Sequence, residues 1–183
     1  MIVEETYLKG CYVITPKVFE DERGYFYENF NKKIFEKETG VRASFVQDNE
    51  SKSSKGVLRG LHFQTGKHAQ SKLVRVSKGK VLDVCVDIRE DSSTFGKHLS
   101  IILDDKTHKQ LFIPKGFAHG FLVLKDNTIF SYKCDNFYYK DAESGIIYND
   151  KTLNIDWGFV QNQLIISEKD KQLSTFKSLF NLK

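Results

Sequence analysis

The feature that most constrains the fold is a strict two-residue alternation near the middle of the chain. From Leu82 to Ile88, every second residue is a branched aliphatic side chain, and the residues between them are Asp, Cys and Asp. Alternation with this period predicts a β-strand. The preceding run, Lys72–Val76, is also predicted to be a strand. The turn-forming segment Ser77–Lys80 predicts that the two strands form a hairpin.

Similar short runs recur along the chain. Strands this frequent, separated by short turns, are typical of a sandwich or a barrel, so the fold class is predicted to be all-β. With 183 residues, no internal repeat and no linker-like shift in composition, residues 1–183 are predicted to form a single domain. The further predicted strands are His98–Leu103, Gln110–Ile113, Phe121–Leu124, Thr128–Lys133 and Gly145–Tyr148.

Two segments are predicted to be helical. Lys32–Thr39 follows Asn31, a residue type that caps helix N-termini, and precedes Gly40, which suits a C-terminal cap. A second helix is predicted over Lys169–Leu179, although this segment is polar.

Composition excludes several classes of protein. The 28 basic residues exceed the 24 acidic ones by only four and are scattered, so no nucleic-acid partner is expected. A small anionic ligand, such as a phosphorylated compound, would suit a few well-placed arginines. No apolar run is long enough to span a membrane, and no secretory signal follows Met1. The number of cysteines is odd. Cys11, Cys85 and Cys134 therefore indicate reduced thiols and a cytoplasmic protein.

The motif Arg59-Gly-Leu-His62-Phe-Gln64 is the first candidate for chemistry. A lone histidine is most often a hydrogen-bonded structural residue. Here, polar residues flank it, and Lys72 and Asp83 lie on predicted strands that could line the same cavity. Regular alternation would put Arg59 and His62 on opposite faces of the strand. We therefore predict a β-bulge at the intervening glycine, which would turn one of them round.

The second motif is Pro114-Lys-Gly-Phe-Ala-His119-Gly-Phe121. Its glycines permit a tight turn or a close approach of a ligand to the backbone, so His119 is equally compatible with a surface turn and with a site. Metal binding by His62, His68 and His119 is not expected. The chain has no His-x-His pair, because residue 64 is a glutamine.

Aromatic residues follow in the segment from Phe130 to Tyr139. Core packing is the usual reason for such a run. A tyrosine that faces a cavity can also act as a general acid, which Tyr132 could do. Tyr138 and Tyr139 lie where a base or a sugar could stack. A base, a phenol, a lysine and orienting carboxylates are sufficient to move a proton on a carbon next to a carbonyl.

Taken in order, these motifs resemble the dTDP-4-dehydrorhamnose 3,5-epimerases over residues 10–172. Small departures from the family pattern, such as Lys140 where relatives often have proline, lie outside the predicted chemistry. The matching segments are Phe19–Phe26, Val46–Asn49, Leu58–Gln64, Lys72–Arg75, Val81–Arg89, Ile113–Phe121, Tyr132–Cys134, Tyr138, Gly145–Asp150, Ile155–Trp157 and Ser167–Asp170.

The resemblance implies an all-β, cupin-like jelly-roll, also called a double-stranded β-helix, with a few short helices. It implies a homodimer in which sheet strands are exchanged between subunits. The implied reaction inverts C3 and C5 of dTDP-4-dehydro-6-deoxy-D-glucose and gives dTDP-4-dehydro-L-rhamnose. The resemblance implies neither a metal nor a cofactor.

Residue roles follow only from the match to the family motifs. His62 corresponds to the general base and Asp170 to its orienting partner. Tyr132 corresponds to the general acid on the opposite face of the sugar, and Lys72 to the group that stabilises the enolate oxygen. The remaining matches are contacts with the sugar (Asp83 and His119), the nucleotide diphosphate (Arg23, Glu28, Gln47, Asn49 and Arg59), the thymine ring (Tyr138) and lesser parts of the substrate (Glu143 and Lys169).

Three alternatives remain open at this level. The same residues would serve a 3-epimerase or a 5-epimerase that acts at a single centre of a related nucleotide sugar. A non-catalytic module that binds sugar nucleotides would bind the ligand without exchanging its protons. A metal-dependent cupin, such as an oxygenase, would contain a metal detectable by elemental analysis.

Overall fold

The computed structural model describes residues 1–42 and 44–182. Short antiparallel strands dominate, as the all-β prediction requires. The strands are β1 (Ile2–Glu5), β2 (Tyr12–Thr15), β3 (Val18–Asp21), β4 (Gly24–Tyr27), β5 (Gln47–Ser53), β6 (Val57–Gln64), β7 (Lys72–Lys78), β8 (Lys80–Asp87), β9 (His98–Asp104), β10 (Gln110–Ile113), β11 (Phe117–Val123), β12 (Thr128–Cys134), β13 (Glu143–Gly145) and β14 (Ile165–Ile166). The helices are α1 (Lys32–Thr39), α2 (Glu168–Lys171) and α3 (Phe176–Leu179), with 3₁₀ turns at Gly66–His68, Lys140–Ala142 and Gln161–Gln163.

The strands form two main sheets. The first sheet has the order β1-β2-β10-β7-β12-β5. The second has the order β13-β6-β11-β8-β9, and β14 pairs in parallel with β6. Strands β3 and β4 form a separate two-stranded hairpin. No helix among the described residues is long and apolar enough to cross a membrane.

Apolar side chains form three layers around these sheets. Val74 and Phe130 of the first sheet share an inner cluster with Val81 and Phe121 of the second, so this cluster lies between the sheets. A second cluster covers the far side of the second sheet and includes Trp157 from the chain that follows β13. On the far side of the first sheet, α1 packs its buried residue Phe35.

The predicted hairpin between β7 and β8 is wrong. Strand β7 pairs with β10 and β12, whereas β8 pairs with β9 and β11, so the turn between them crosses from one sheet to the other. Gly79 has a φ of +92° at this crossing, and a Cβ there would lie 2.2 Å from Thr128 Oγ1. Both strands direct apolar side chains into the inner cluster, which they fill from opposite sides.

The predicted helix at Lys32–Thr39 is confirmed at both ends. Asn31 accepts a hydrogen bond from Ile34 N, and Gly40 adopts the left-handed conformation with a φ of +70°. The single helix predicted over Lys169–Leu179 is wrong, because Ser174 forms a parallel bridge with Ile146 and separates α2 from α3.

Most other predicted strands are confirmed, with differences at their ends. Strand β11 begins four residues before the predicted start at Phe121. The strand predicted over Gly145–Tyr148 is displaced, because β13 spans Glu143–Gly145 and ends where Leu173 packs closely against Gly145.

Candidate active site

A cavity between the two sheets contains most of the predicted site residues. It has a larger lobe of about 500 Å³ and a smaller lobe of about 280 Å³. His62, Lys72 and Tyr132 line both lobes and therefore lie where they meet. The volume of the larger lobe falls within the range of typical ligand pockets.

A β-bulge directs Arg59 and His62 into the same lobe, as predicted. His62 is paired with His119 and Arg59 with Phe121, so two residues of β6 oppose the single residue Gly120. Both Arg59 and His62 line the larger lobe. The bulge needs glycine, because Gly60 has a φ of +116° and a Cβ there would lie 2.6 Å from Gly120 Cα.

His62 is held by Asp170. Its Nε2 lies 2.8 Å from Asp170 Oδ1, and the Asp170 side chain is only 6% exposed. Asp170 Oδ2 accepts a hydrogen bond from Gly60 N, so the same carboxylate also fixes the bulge. Burial alone would raise the pKa of Asp170, but the hydrogen bonds from His62 and Gly60 outweigh it and lower the pKa.

The second orienting contact comes from the start of α2. Ser167 caps this helix and accepts a hydrogen bond from Asp170 N at 3.1 Å. An ionised carboxylate can only accept hydrogen bonds, so Nε2 of His62 donates to Asp170. In a neutral imidazole that donates from Nε2, the lone pair lies on Nδ1.

Tyr132 and Lys72 come from the sheet opposite His62. Tyr132 lies on β12 and Lys72 on β7 in the first sheet, whereas His62 lies on β6 in the second. Burial raises the pKa of the Tyr132 phenol, which keeps it protonated at neutral pH. The Lys72 ammonium lies 5.9 Å from the centre of the Tyr132 ring.

Lys72 is a cation at the junction of the two lobes. Part of its surface is open to the cavity, but burial of its ammonium lowers its pKa. The carboxylates of Asp83 and Glu143 oppose this shift without reversing it. No ion pair to Lys72 occurs within residues 1–42 and 44–182, so its charge is not neutralised by a direct carboxylate contact.

A second histidine–aspartate pair lies beside the first. His119 Nε2 is 2.9 Å from Asp83 Oδ2, and the Asp83 side chain is fully buried. The other carboxylate oxygen, Oδ1, is buried and makes no hydrogen bond with the described residues. Asp83, a polar residue of the alternating strand β8, thus faces the space between the sheets. There it can orient His119 at the wall of the larger lobe.

The smaller lobe brings together four predicted substrate contacts: Gln47, Asn49 and Tyr138 for the nucleotide, and Glu143 for a lesser part of the substrate. Gln47 Nε2 donates to Asn49 Oδ1 at 2.9 Å. Glu143 Oε2 accepts hydrogen bonds from the Tyr138 hydroxyl at 2.7 Å and from Lys169 Nζ at 2.6 Å. Burial acts to raise the pKa of Glu143, but these two donors lower it.

Two residues predicted to contact the nucleotide diphosphate lie outside the cavity of their own chain. Arg23 lies at the turn of the β3–β4 hairpin, forms an ion pair with Asp21 and lines a separate groove. Glu28 is exposed and accepts a hydrogen bond from Asn31 Nδ2. Neither residue lines either lobe of the described cavity.

Sequence reasoning assigned no role to four residues that line the cavity. Ile165 and Ile166 of β14 line the larger lobe, but an isolated apolar pair carries no recognisable signal. Ser167 could have been recognised as a helix cap from its type and position. Gln64 was noted as a polar residue near His62 and as the position where a metal-binding pair would need histidine, but its contacts lie in loops distant in the sequence.

The three histidines for which metal binding was not expected make different contacts. His62 and His119 each bind an aspartate, and the ring of His68 stacks on Tyr139 with centroids 4.1 Å apart. Within the described residues, there is no group of three or more His, Cys, Asp and Glu side chains that could hold a metal ion.

Comparison with known proteins identifies the family of this chain. The family model described as dTDP-4-dehydrorhamnose 3,5-epimerase matches residues 5–178. A curated dTDP-4-dehydrorhamnose 3,5-epimerase from Escherichia coli (strain K12) is 50% identical over 183 residues, which cover 100% of this chain and 98% of that protein.

Solved structures show the same fold. The crystal structure of the dTDP-4-dehydrorhamnose 3,5-epimerase from Elizabethkingia anophelis NUHP1 has a TM-score of 0.94 and 55% identity, with 97% of each chain covered. That of the dTDP-6-deoxy-D-glucose-3,5-epimerase from Legionella pneumophila Philadelphia 1, in complex with dTDP-4-keto-L-rhamnose, has a TM-score of 0.91 and 45% identity, covering 95% of this chain and 92% of that one. The predicted cupin-like fold is confirmed. The chain belongs to the dTDP-4-dehydrorhamnose 3,5-epimerase family.

Proposed function

We propose that this protein inverts C3 and C5 of dTDP-4-dehydro-6-deoxy-D-glucose to give dTDP-4-dehydro-L-rhamnose. The observation that carries the proposal is the placement of His62 and Tyr132 on opposite sheets around one cavity, in a chain of this family. A base and an acid on opposite sides of a sugar ring are what inversion of a carbon centre requires.

The first step is removal of a proton. The C4 ketone acidifies the hydrogens on C3 and C5, because loss of either gives an enolate. Nδ1 of His62 takes the proton, and the electron pair of the C–H bond moves into the enolate. Asp170 holds the imidazole and stabilises the imidazolium that forms, as the aspartate of a catalytic triad does.

The second step returns a proton to the other face. Tyr132 donates its phenolic proton to the carbon, the enolate collapses to the ketone, and the stereocentre is inverted. Lys72 stabilises the negative charge on the enolate oxygen between the two steps. Removal and return of a proton leave the oxidation state of the sugar unchanged, so the proposal invokes no cofactor.

The nucleotide supplies binding energy away from the reacting carbons. Arg59 is suited to the diphosphate, since a guanidinium can contact two oxygens at once, and Tyr138 presents an exposed ring to the thymine. Gln47, Asn49, Glu143 and Lys169 surround the Tyr138 side of the cavity. Binding of this remote group can position the sugar ring between His62 and Tyr132.

We also propose that the protein is a homodimer whose sites are completed by Arg23 and Glu28 of the partner subunit. The β3–β4 hairpin supports this, because Phe19, Tyr25 and Phe26 are each more than half exposed on it. Exposed aromatic surface of this kind is typical of an interface between chains. The hairpin also carries Arg23 away from the cavity of its own chain.

Complementation between variants tests this arrangement. His62→Ala and Arg23→Ala homodimers should both be impaired at low substrate concentration. Co-expressed together, they form mixed dimers in which one site has both wild-type residues. Activity should therefore return to a fraction of the wild-type value. Mixed dimers that stay as impaired as the two parents would place Arg23 in the site of its own subunit.

The reaction itself is tested by incubating the protein with dTDP-4-dehydro-6-deoxy-D-glucose in deuterated water. Proton NMR of the product should show deuterium at both C3 and C5, with the L-rhamno configuration. Exchange at one position only would indicate a single-centre epimerase. Tight binding without exchange would indicate a binding module.

The setting of the proposed reaction follows from simple chemistry. Cys11, Cys85 and Cys134 are buried free thiols, which suits the reducing cytoplasm. We propose that residues 1–183 form one epimerase domain, with a nucleotide sugar as its ligand and neither nucleic acid nor membrane as a partner.

A further inference from the structure

Gln64 lines the smaller lobe. It is the last residue of β6 and is only 8% exposed. Its Nε2 donates hydrogen bonds to His68 O at 2.7 Å and Phe137 O at 3.2 Å. Its Oε1 accepts one from Tyr139 N at 2.7 Å. One buried carboxamide therefore holds the main chain on both sides of Tyr138.

The segment that Gln64 holds is irregular. Phe137, Tyr138 and Tyr139 lie between the end of β12 and a 3₁₀ turn, outside any sheet. Tyr138 N donates to Gln47 Oε1 at 3.0 Å, so the middle residue is also held by a glutamine. Side-chain amides replace the sheet hydrogen bonds that would otherwise fix this backbone.

The hydrogen bond from Gln64 Nε2 to His68 O fixes the neighbouring 3₁₀ turn. His68 ends the 3₁₀ turn at Gly66–His68, and its ring stacks on Tyr139 at 4.1 Å with an interplanar angle of 7°. Gln64 thus fixes both the backbone of Tyr139 and the residue against which its ring packs. The rings of Phe137, Tyr138 and Tyr139 are otherwise exposed.

We propose that Gln64 is a positioning residue for recognition of the nucleotide base, because it fixes the backbone that presents the Tyr138 ring. The inference rests on the proposed function in one respect, the stacking of thymine on Tyr138. Only an amide satisfies all three contacts, since it carries two donors and an acceptor on one group. A carboxylate keeps the acceptor but faces two carbonyl oxygens, and a methionine of similar size has neither donor.

The test measures binding of dTDP by titration calorimetry in the full-length protein. Gln64→Met should weaken the affinity about tenfold, within the range for losing a base stacked on an aromatic ring. KM for the nucleotide sugar should rise by a similar factor, while kcat stays within about twofold, because binding lost equally from ground state and transition state leaves kcat unchanged. A retained kcat also shows that the variant is folded. Gln64→Glu provides a second variant, with the same expected direction.

A double-mutant cycle separates positioning from general weakening of the fold. In a Tyr138→Ala background, Gln64→Met should change dTDP affinity by less than twofold, because the ring on which it acts is gone. The matched control is Gln110→Met, which removes another buried carboxamide whose hydrogen bonds go to Asn29, and it should leave dTDP affinity unchanged.

Two results would overturn the role of Gln64. One is unchanged dTDP affinity in both Gln64 variants when the wild type binds dTDP. The other is the same loss of affinity with and without the Tyr138 ring. A wild-type protein that does not bind dTDP would instead overturn the proposed function.

Discussion

Replacing His62 with alanine is expected to lower kcat/KM by about 10²–10⁴-fold, the usual contribution of a positioned general base. Exchange of solvent deuterium into C3 and C5 should stop as well, because no other group is held beside Asp170 at the junction of the lobes. The measurement is proton NMR of the nucleotide sugar in deuterated water, alongside the wild-type protein. Wild-type exchange rates in the variant would remove His62 from the role of base.

Tyr132→Phe is the informative control, because it should separate exchange from inversion. The base is intact in this variant, so a proton can still leave and a deuteron can return from the same side. Deuterium should therefore enter the substrate, while the configuration at one or both centres is retained. Normal epimerisation by Tyr132→Phe would mean that another group delivers the second proton.

Replacing Lys72 with methionine is expected to have two opposite effects. Loss of a charged donor at the enolate oxygen should lower kcat by about 10²–10³-fold. The fold should become more stable at pH 7, because the variant no longer buries an ammonium whose pKa is lowered by burial. Steady-state kinetics and urea unfolding of the same preparation measure the two effects.

The pH dependence of stability gives an independent check on Lys72. Because burial lowers the pKa of Lys72 in the folded state, the unfolded wild type binds more protons than the folded protein between that lowered pKa and the ordinary lysine pKa of about 10.4. Stability of the wild type should therefore rise with pH relative to the methionine variant, and the two should converge. Lys78→Met is the matched control, since Lys78 is exposed on the same strand and should affect neither property. A Lys72→Met variant that keeps full activity would contradict the proposed role at the enolate oxygen.

Local features of the sequence predicted local features of the structure. Asn31 and Gly40 predicted both ends of α1, because capping depends on residues within one turn of the helix. Gly60 predicted the bulge in β6, because two polar residues three positions apart could reach one cavity only if the strand were irregular.

The hairpin at Gly79 was predicted wrongly for a reason that is not local. A short turn between two strands can join neighbours in one sheet or carry the chain across the core to another. The choice depends on which distant strands compete for each edge, here β10 and β12 against β9 and β11. No residue within the turn encodes that competition.

In the candidate site, too, local features could be predicted and contacts between distant segments could not. His62, Lys72 and Asp83 could be grouped from strand patterns, but the pairing of His62 with Asp170 came only from the family resemblance. The three hydrogen bonds of Gln64 were not predicted. Its partners His68, Phe137 and Tyr139 belong to two loops whose approach is set by the whole fold.

The separation of His62 from Asp170 has a consequence for biosynthesis. The two residues are 108 positions apart in the sequence. At common translation rates, the ribosome needs about 5–20 s to add that many residues. Strands β6 to β12 can meet during this interval, whereas the carboxylate that orients the imidazole has not yet been made. A nascent chain can thus bring His62, Lys72 and Tyr132 together before His62 has its orienting carboxylate.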